Sequence, residues 1–185
     1  MNTNIVILLV ILIAVAAAGI FYYYRRKRSR ELHMRFGPEY DRALNQYGNK
    51  QKAEAELERR SKRVGKFHIH AISEDERRRF ADAWQAQQAR FVDQPEQAVS
   101  EAHRLVAELM RARGYPATTE FDENADDLSV DHPHLVEHYR TACRIAARRE
   151  NGESNTEDLR AAMIHYREMF EELLGKSIHS EEVIR

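Results

Sequence analysis

The sequence predicts an all-α protein with an N-terminal transmembrane helix, a polar stalk helix and a soluble domain resembling an antiparallel four-helix bundle. Residues 5–24 carry no charge, and the 185-residue chain contains only 7 Gly and 4 Pro, too few for a turn-rich β protein. Four later segments repeat apolar residues at helical spacing. The predicted parts are a short N-terminal tail (1–4), a transmembrane helix (5–24), a basic juxtamembrane and stalk region (25–66), a helical domain (67–175) and a flexible tail (176–185).

The apolar run IVILLVILIAVAAAGIFYYY spans residues 5–24. As a helix it would be about 30 Å long, which matches the hydrocarbon thickness of a bilayer. Aromatic rings suit the headgroup boundary, and basic residues there stop transfer across the membrane. The sequence therefore predicts that the lipid bilayer is one partner, contacted at the interface by Tyr22, Tyr23, Tyr24, Arg25, Arg26, Lys27 and Arg28.

The position of the basic residues predicts the orientation of the chain. Positive residues that flank a span remain on the cytoplasmic side, so we expect the N-terminus outside the inner membrane and the C-terminal domain in the cytoplasm. The alternative is a secreted protein, because residues 14–16 and 16–18 resemble signal cleavage sites. A signal peptide carries its charges before the apolar run, whereas here they follow it, and the run continues to Tyr24.

Charge is unevenly distributed along the chain. Residues 25–66 contain 14 Lys or Arg and 6 Asp or Glu, whereas residues 67–185 contain 15 and 24. The basic part would lie next to anionic lipids, which attract Lys and Arg. The acidic domain has no basic stripe with interleaved aromatic residues, so nucleic acid is not expected as a partner.

Two helices and a connector are predicted between the membrane and the domain. Gly37 interrupts the first helix, Pro38 suits the start of a second that ends near Gly48, and residues 49–63 form a third. This third helix is polar, with few apolar positions, and would act either as a solvated stalk or as a weak packing partner. Residues 66–72 alternate polar and apolar side chains, with Phe67, Ile69 and Ala71 on one side, which is typical of an extended segment packed on the domain.

Four amphipathic helices are predicted in the domain. Ser73 and Glu76 form a capping-box signature, and Asp93 could cap the next helix, which has Pro95 in its first turn. The third helix is predicted to start at Pro133 and stop at Gly152, and the fourth to be capped by Asn155 or Thr156 and stopped by Gly175. A loop is expected from residue 115 to residue 132, with a short turn near Phe121.

Several short strings occur together in this sequence: RFGPEYDRAL (35–44), FVDQP (91–95), RGYP (113–116), LSVDHP (128–133) and TEDLR (156–160). Together they resemble a family of short bacterial proteins with no known activity, some of which are labelled "secreted protein". Members of that family have one N-terminal membrane helix followed by a helical soluble domain. The resemblance covers most of residues 35–174, implies the same architecture and supplies no site residues.

One motif suggests metal chemistry. His134, Glu137 and His138 match the H-x-x-E-H pattern of inverted zinc proteases, in which two His on one helix face bind Zn²⁺ and the Glu activates a water. That protease family needs a third ligand far downstream, and only 47 residues follow His138. Zinc is therefore an alternative cofactor rather than the expected one, with a local third ligand from Asp131, His132 or His165.

Neither the acidic segment nor the single cysteine matches a known type of functional site. Residues 122–126 copy three positions of a calcium loop, but Asp127 and Pro133 stand where glycine and glutamate are needed, so we expect an acidic solvated loop. Cys143 is expected to be a small buried thiol, because nothing nearby in the sequence resembles a Cys-His nucleophile pair. Because no catalytic set is evident, the sequence favours a non-enzymatic, membrane-anchored module for protein interaction or scaffolding, with an unknown partner. The alternatives are a metal-binding protein or metal-dependent hydrolase, and a secreted domain.

Overall fold

A computed structural model describes residues 3–150 and 155–175, and all the regular secondary structure in those residues is α-helical. The predicted flexible tail and the predicted stop at Gly152 lie outside the described residues. Eight helices occur in the described part of the chain: α1 (Thr3–Phe36), α2 (Pro38–Tyr47), α3 (Lys50–Val64), α4 (Glu74–Arg90), α5 (Pro95–Ala112), α6 (Phe121–Asp131), α7 (Val136–Glu150) and α8 (Thr156–Leu173).

The chain divides into two compact units, an N-terminal unit of residues 1–58 and a C-terminal unit of residues 59–185. The predicted helix breaks of the N-terminal unit are confirmed. Helix α1 is continuous until Gly37, which has φ 48°, and α2 ends at Gly48, which has φ 61°. Glycine adopts a positive φ at little steric cost. Asn49 then starts α3, since its Oδ1 accepts hydrogen bonds from the backbone N–H groups of the next helical residues.

Helix α3 is not solvated all round. Ala53 and Leu57 are fully buried in the N-terminal unit, as is Phe36 at the end of α1. The Tyr40 hydroxyl of α2 donates a 2.8 Å hydrogen bond to Glu54 Oε1 of α3. Of the two roles predicted for this helix, the burial supports a packing partner rather than a solvated stalk.

Helix α5 lies at the centre of the C-terminal unit and packs against α4, α7 and α8, while α7 also packs against α6 and α8. Its apolar stripe has the predicted helical spacing, and Val99, Val106 and Leu109 are fully buried. Trp84 of α4 stacks on Phe170 of α8 with a centroid distance of 4.9 Å and an interplanar angle of 15°. The core therefore joins helices that are distant in the chain.

The predicted helix starts are largely confirmed. Ser73 and Glu76 form both hydrogen bonds of a capping box at α4, and Asn155 and Asp158 do the same at α8. The expected cap of α5 is wrong. Gln94 rather than Asp93 precedes the helix, and no side chain caps it there.

The expected loop between residues 115 and 132 is also wrong, because it contains helix α6. This helix has few apolar residues, so its sequence carries little amphipathic signal. Its acidic side chains are ordered by arginines instead. Arg60 pairs with Asp126 at 3.0 Å, and Arg63 pairs with the buried Asp127 at 2.8 Å. The calcium-like pattern thus lies on a helix held by ion pairs and does not form a solvated loop.

The connector after α3 is extended and forms no strand in the described chain. Phe67 and Ile69 pack against the core, as their alternation predicts, although Ala71 is exposed. The His70 backbone N–H donates to the Arg113 carbonyl oxygen at 3.0 Å. Gly114 has φ 95°, and it lies so close to the connector backbone that a Cβ there would be 2.2 Å from the His68 carbonyl oxygen. Only glycine fits at this contact.

Two arginines hold the C-terminal end of α8. Arg113 donates to the Leu173 carbonyl oxygen at 2.8 Å, and Arg77 of α4 donates to the Leu174 carbonyl oxygen. The last carbonyl groups of a helix have no partner within the helix. Positive side chains there also interact favourably with the negative end of the helix dipole. These contacts connect the last turn of α8 to α4 and to the residue that follows α5.

The Arg63–Asp127 pair should be a major determinant of stability. Replacing Arg63→Met leaves a carboxylate whose side chain is 2% exposed without its partner. We expect the free energy of unfolding to fall by about 3 kcal/mol. Trp84, the single tryptophan, would report chemical denaturation of the detergent-solubilised protein.

Arg78→Met is the matched control, because Arg78 pairs with Asp75 at a site where the two side chains are 74% and 94% exposed. Its effect should stay within about 0.5 kcal/mol. Equal unfolding midpoints for Arg63→Met and the unsubstituted protein would show that the pair does not hold α6.

Candidate functional site

The apolar part of α1 is uncovered. Its large side chains from Ile7 to Phe21 are 52–69% exposed, and none of its most apolar stretch is buried. Helix α1 is therefore long and apolar enough either to span a membrane or to serve as a signal sequence.

The seven predicted interface residues lie together on α1, directly after the apolar part, and all are exposed. The rings of Tyr23 and Tyr24 meet edge to face, with centroids 5.9 Å apart. Lys27 lies 3.9 Å from Glu31, and Arg28 forms an ion pair with Glu58 of α3. The helix thus presents an aromatic band followed by a basic band.

The zinc-protease pattern adopts a different local structure from the one predicted. Helix α7 begins at Val136, so His134 lies in the preceding turn rather than on the helix. His134 and Glu137 are exposed, and Glu137 lies 3.9 Å from Arg144. Because the histidines do not share one helix, their i, i+4 spacing no longer places them on a common face.

The three candidate third ligands are differently placed. His165 of α8 is the one that contacts the motif, with its Nδ1 atom 3.0 Å from Nδ1 of His138. Asp131 instead accepts a hydrogen bond from Tyr115, and His132 lies 3.3 Å from Glu172. Among residues 3–150 and 155–175, no three His, Cys, Asp or Glu side chains are arranged to hold a metal ion.

A hydrogen bond between His138 and His165 joins α7 to α8. At 3.0 Å one Nδ1 must carry the proton and the other must accept it. Protonating both rings would bring two donors face to face. Burial lowers the pKa of His165, and the neighbouring His138 lowers it further, whereas Glu137 and Glu168 oppose the shift. Both the burial and the neighbouring ring therefore favour the neutral form of His165.

A second polar cluster lies inside the C-terminal unit and was missed by sequence reasoning. His103 Nδ1 of α5 is 3.0 Å from the hydroxyl of the buried Tyr166 of α8 and 4.0 Å from Sγ of Cys143 of α7. Nearby, Asn124 Nδ2 of α6 donates to the Tyr139 hydroxyl at 3.2 Å. The only sequence signal is that His103 lies between Val99 and Val106 on the apolar stripe of α5.

Burial disfavours nucleophilic chemistry at Cys143 in this cluster. It raises the pKa of the thiol and so favours the protonated form, whereas a cysteine nucleophile must be a thiolate. Burial raises the pKa of Tyr139 in the same way. The arrangement satisfies polar groups between four helices, which is a packing role.

Comparisons with models of protein families, with curated proteins and with solved structures found no match to this chain.

The histidines should make stability pH-dependent. Burial is the first cause that lowers the pKa of His165, and the same holds for His132, from an ordinary value of 6.5. Below about pH 6.5 the unfolded chain therefore binds more protons than the folded chain, and the free energy of unfolding decreases as pH falls. Denaturation followed by Trp84 fluorescence at about pH 7.5 and about pH 5 measures the difference.

His165→Gln should make this pH dependence shallower, because one of the two shifted groups is removed. His134→Gln is the matched control, since His134 is exposed in the turn before α7. If His165→Gln leaves the pH dependence as steep as it is in the unsubstituted protein, the pair does not couple folding to pH.

Proposed function

We propose that this protein is a single-pass inner-membrane protein whose helical domain binds a protein partner at the cytoplasmic face. The observation that carries the proposal is the exposed apolar surface of α1, from Ile7 to Phe21. Exposed apolar surface of this extent is unfavourable in water and favourable in lipid. The same helix continues to the buried Leu32 and Phe36, so the anchor is part of the folded N-terminal unit.

This continuity favours an anchor over a cleaved signal. Cleavage after Ala16 or Ala18 would leave the exposed aromatic residues from Phe21 to Tyr24 close to a new N-terminus, in water. In lipid the same residues occupy the headgroup boundary, which aromatic side chains prefer. The basic residues that follow support retention of the domain in the cytoplasm.

The domain is proposed to be bundle-like, with α4, α5, α7 and α8 as its main helices. Support comes from the packing of α5 on α4 and α8, and of α7 on α8. Protein-interaction modules often show an exposed apolar patch of a few hundred Å², and the described surface of this domain offers little exposed apolar area. Within residues 67–150 and 155–175, Val92 and Ile164 are the only large apolar side chains that are exposed.

A polar contact surface is compatible with partner binding. Many non-obligate interfaces are no more apolar than the rest of a protein surface. A membrane anchor also confines the chain near other membrane proteins, and the raised effective concentration compensates for weak contacts. The proposed partner is accordingly a membrane protein recognised mainly through charged and polar groups.

Two reporters fused to the C-terminus test the proposed location of the domain. Alkaline phosphatase fused after Arg185 should be inactive and a fluorescent protein should be bright, because the domain remains in the cytoplasm. Replacing Arg25, Arg26, Lys27, Arg28 and Arg30 together by Gln removes the orienting charges and should increase phosphatase activity. Strong phosphatase activity of the unsubstituted fusion, or a mature product that begins beyond Ala18, would contradict the anchor and favour secretion.

The size of the native complex tests partner binding. Protein extracted from its own membranes with a mild detergent should elute as a larger species than the same protein purified alone in that detergent. Because polar contacts dominate the proposed interface, about 1 M salt should shift the extracted species toward the smaller size. Identical elution of the extracted and purified proteins at low salt would leave the module without a partner.

A further inference from the structure

A cleft lies between α1 and α3, within the N-terminal unit. Its volume is about 360 Å³, at the lower end of the range for small-molecule sites. Helix α1 contributes Phe21 and Tyr24 together with two arginines, and α3 contributes two glutamates. The cleft therefore combines an apolar rim with charges of both signs.

The four charged side chains that line the cleft balance one another: Arg25, Arg28, Glu54 and Glu58. Arg28 is paired with Glu58. Among the described residues of the N-terminal unit, Arg25 has no ion-pair partner, so its guanidinium is available to an anion. The cleft thus carries one unpaired cation in a lining with no net charge.

Glu54 supplies the complementary negative group. Tyr40 and Lys50 both contact its Oε1 atom, at 2.8 and 3.7 Å. A carboxylate has about four lone-pair positions on two oxygens, so Oε2 retains the capacity to accept hydrogen bonds. The Glu54 side chain is 14% exposed, which reduces competition from water.

The position of the cleft along α1 sets its depth in the membrane. Phe21 and Tyr24 lie in the last turn of the apolar run, and Arg25 directly follows that run. If residues 5–24 span the hydrocarbon, these side chains lie where lipid phosphates and headgroups are located. A ligand in this cleft would have its apolar part beside Phe21 and its charged part beside Arg25.

We propose that the α1–α3 cleft binds the headgroup of a phospholipid that carries a primary ammonium group, namely phosphatidylethanolamine. Arg25 holds the phosphodiester, Glu54 accepts hydrogen bonds from the ammonium, and Phe21 contacts the start of an acyl chain. This inference rests on the proposed membrane anchoring, and it assigns that anchor a specific lipid partner.

The charge balance distinguishes this lipid from other classes. Phosphatidylglycerol offers the phosphate but no ammonium for Glu54, whose nearest cation is Lys50 at 3.7 Å, and it brings net negative charge beside the two glutamates. Phosphatidylcholine has a quaternary ammonium, which donates no N–H hydrogen bonds to Glu54. Only the primary ammonium satisfies both signs of charge in the lining.

Native mass spectrometry of the purified full-length protein in detergent micelles tests the assignment, with each of the three lipids added separately. We expect one molecule of phosphatidylethanolamine to be retained, with about tenfold higher affinity than phosphatidylglycerol or phosphatidylcholine. Arg25→Gln should weaken its retention about tenfold. Arg26→Gln is the matched control, because this neighbouring residue does not line the cleft.

Glu54→Gln tests the ammonium contact separately. The amide keeps an acceptor for Tyr40 but leaves the lining with a net positive charge, so the preference should move toward phosphatidylglycerol. Circular dichroism confirms that each variant remains helical. A preference of the unsubstituted protein for phosphatidylglycerol, or equal retention by Arg25→Gln and Arg26→Gln, overturns the assignment. Micelles have no sidedness, so this result is independent of the reporter test of orientation.

Discussion

Burial of the apolar stripe of α5 is the constraint on which the C-terminal unit depends. Val99, Ala102, Val106 and Leu109 are fully buried, and the helix packs against α4, α7 and α8. Removing such side chains from water is the largest favourable contribution to folding. The residues that follow α5 extend the same constraint, because Arg113 bonds both the connector and the end of α8.

The uninterrupted apolar run, apolar periodicity, charge spacing and helix-boundary residues were together sufficient to predict seven of the eight described helices. Helix α6 could not be predicted in this way, because its acidic residues pair with Arg60 and Arg63, which lie more than 60 residues earlier in the chain. Acidic residues are expected to be solvated when the sequence does not show which cations will face them. The pairing of Asp127 with Arg63 is therefore information that only the folded chain contains.

The candidate sites show the same division. The aromatic and basic residues of α1 are contiguous in sequence, so each could be named from the sequence, and their contact with lipid stays a prediction. His138 and His165 were both named, yet their 3.0 Å contact arises from the packing of α7 on α8 rather than from the H-x-x-E-H spacing. Glu54 and Arg25 are 29 positions apart, and their place in one cleft follows from the turns at Gly37 and Gly48. The strings RGYP and LSVDHP also meet in space, through the Tyr115–Asp131 hydrogen bond.

The unbroken course of α1 has a mechanical consequence. The helix is about 51 Å long, and its last 12 residues extend about 18 Å beyond the apolar run before Gly37 interrupts it. A lipid-embedded helix adjusts its tilt when bilayer thickness changes. If α1 is anchored as proposed, the lack of a hinge before Gly37 makes its far end swing with that tilt and carry the Tyr40 contacts with it. The N-terminal unit of the proposed anchor would then convert the thickness of its bilayer into an angle.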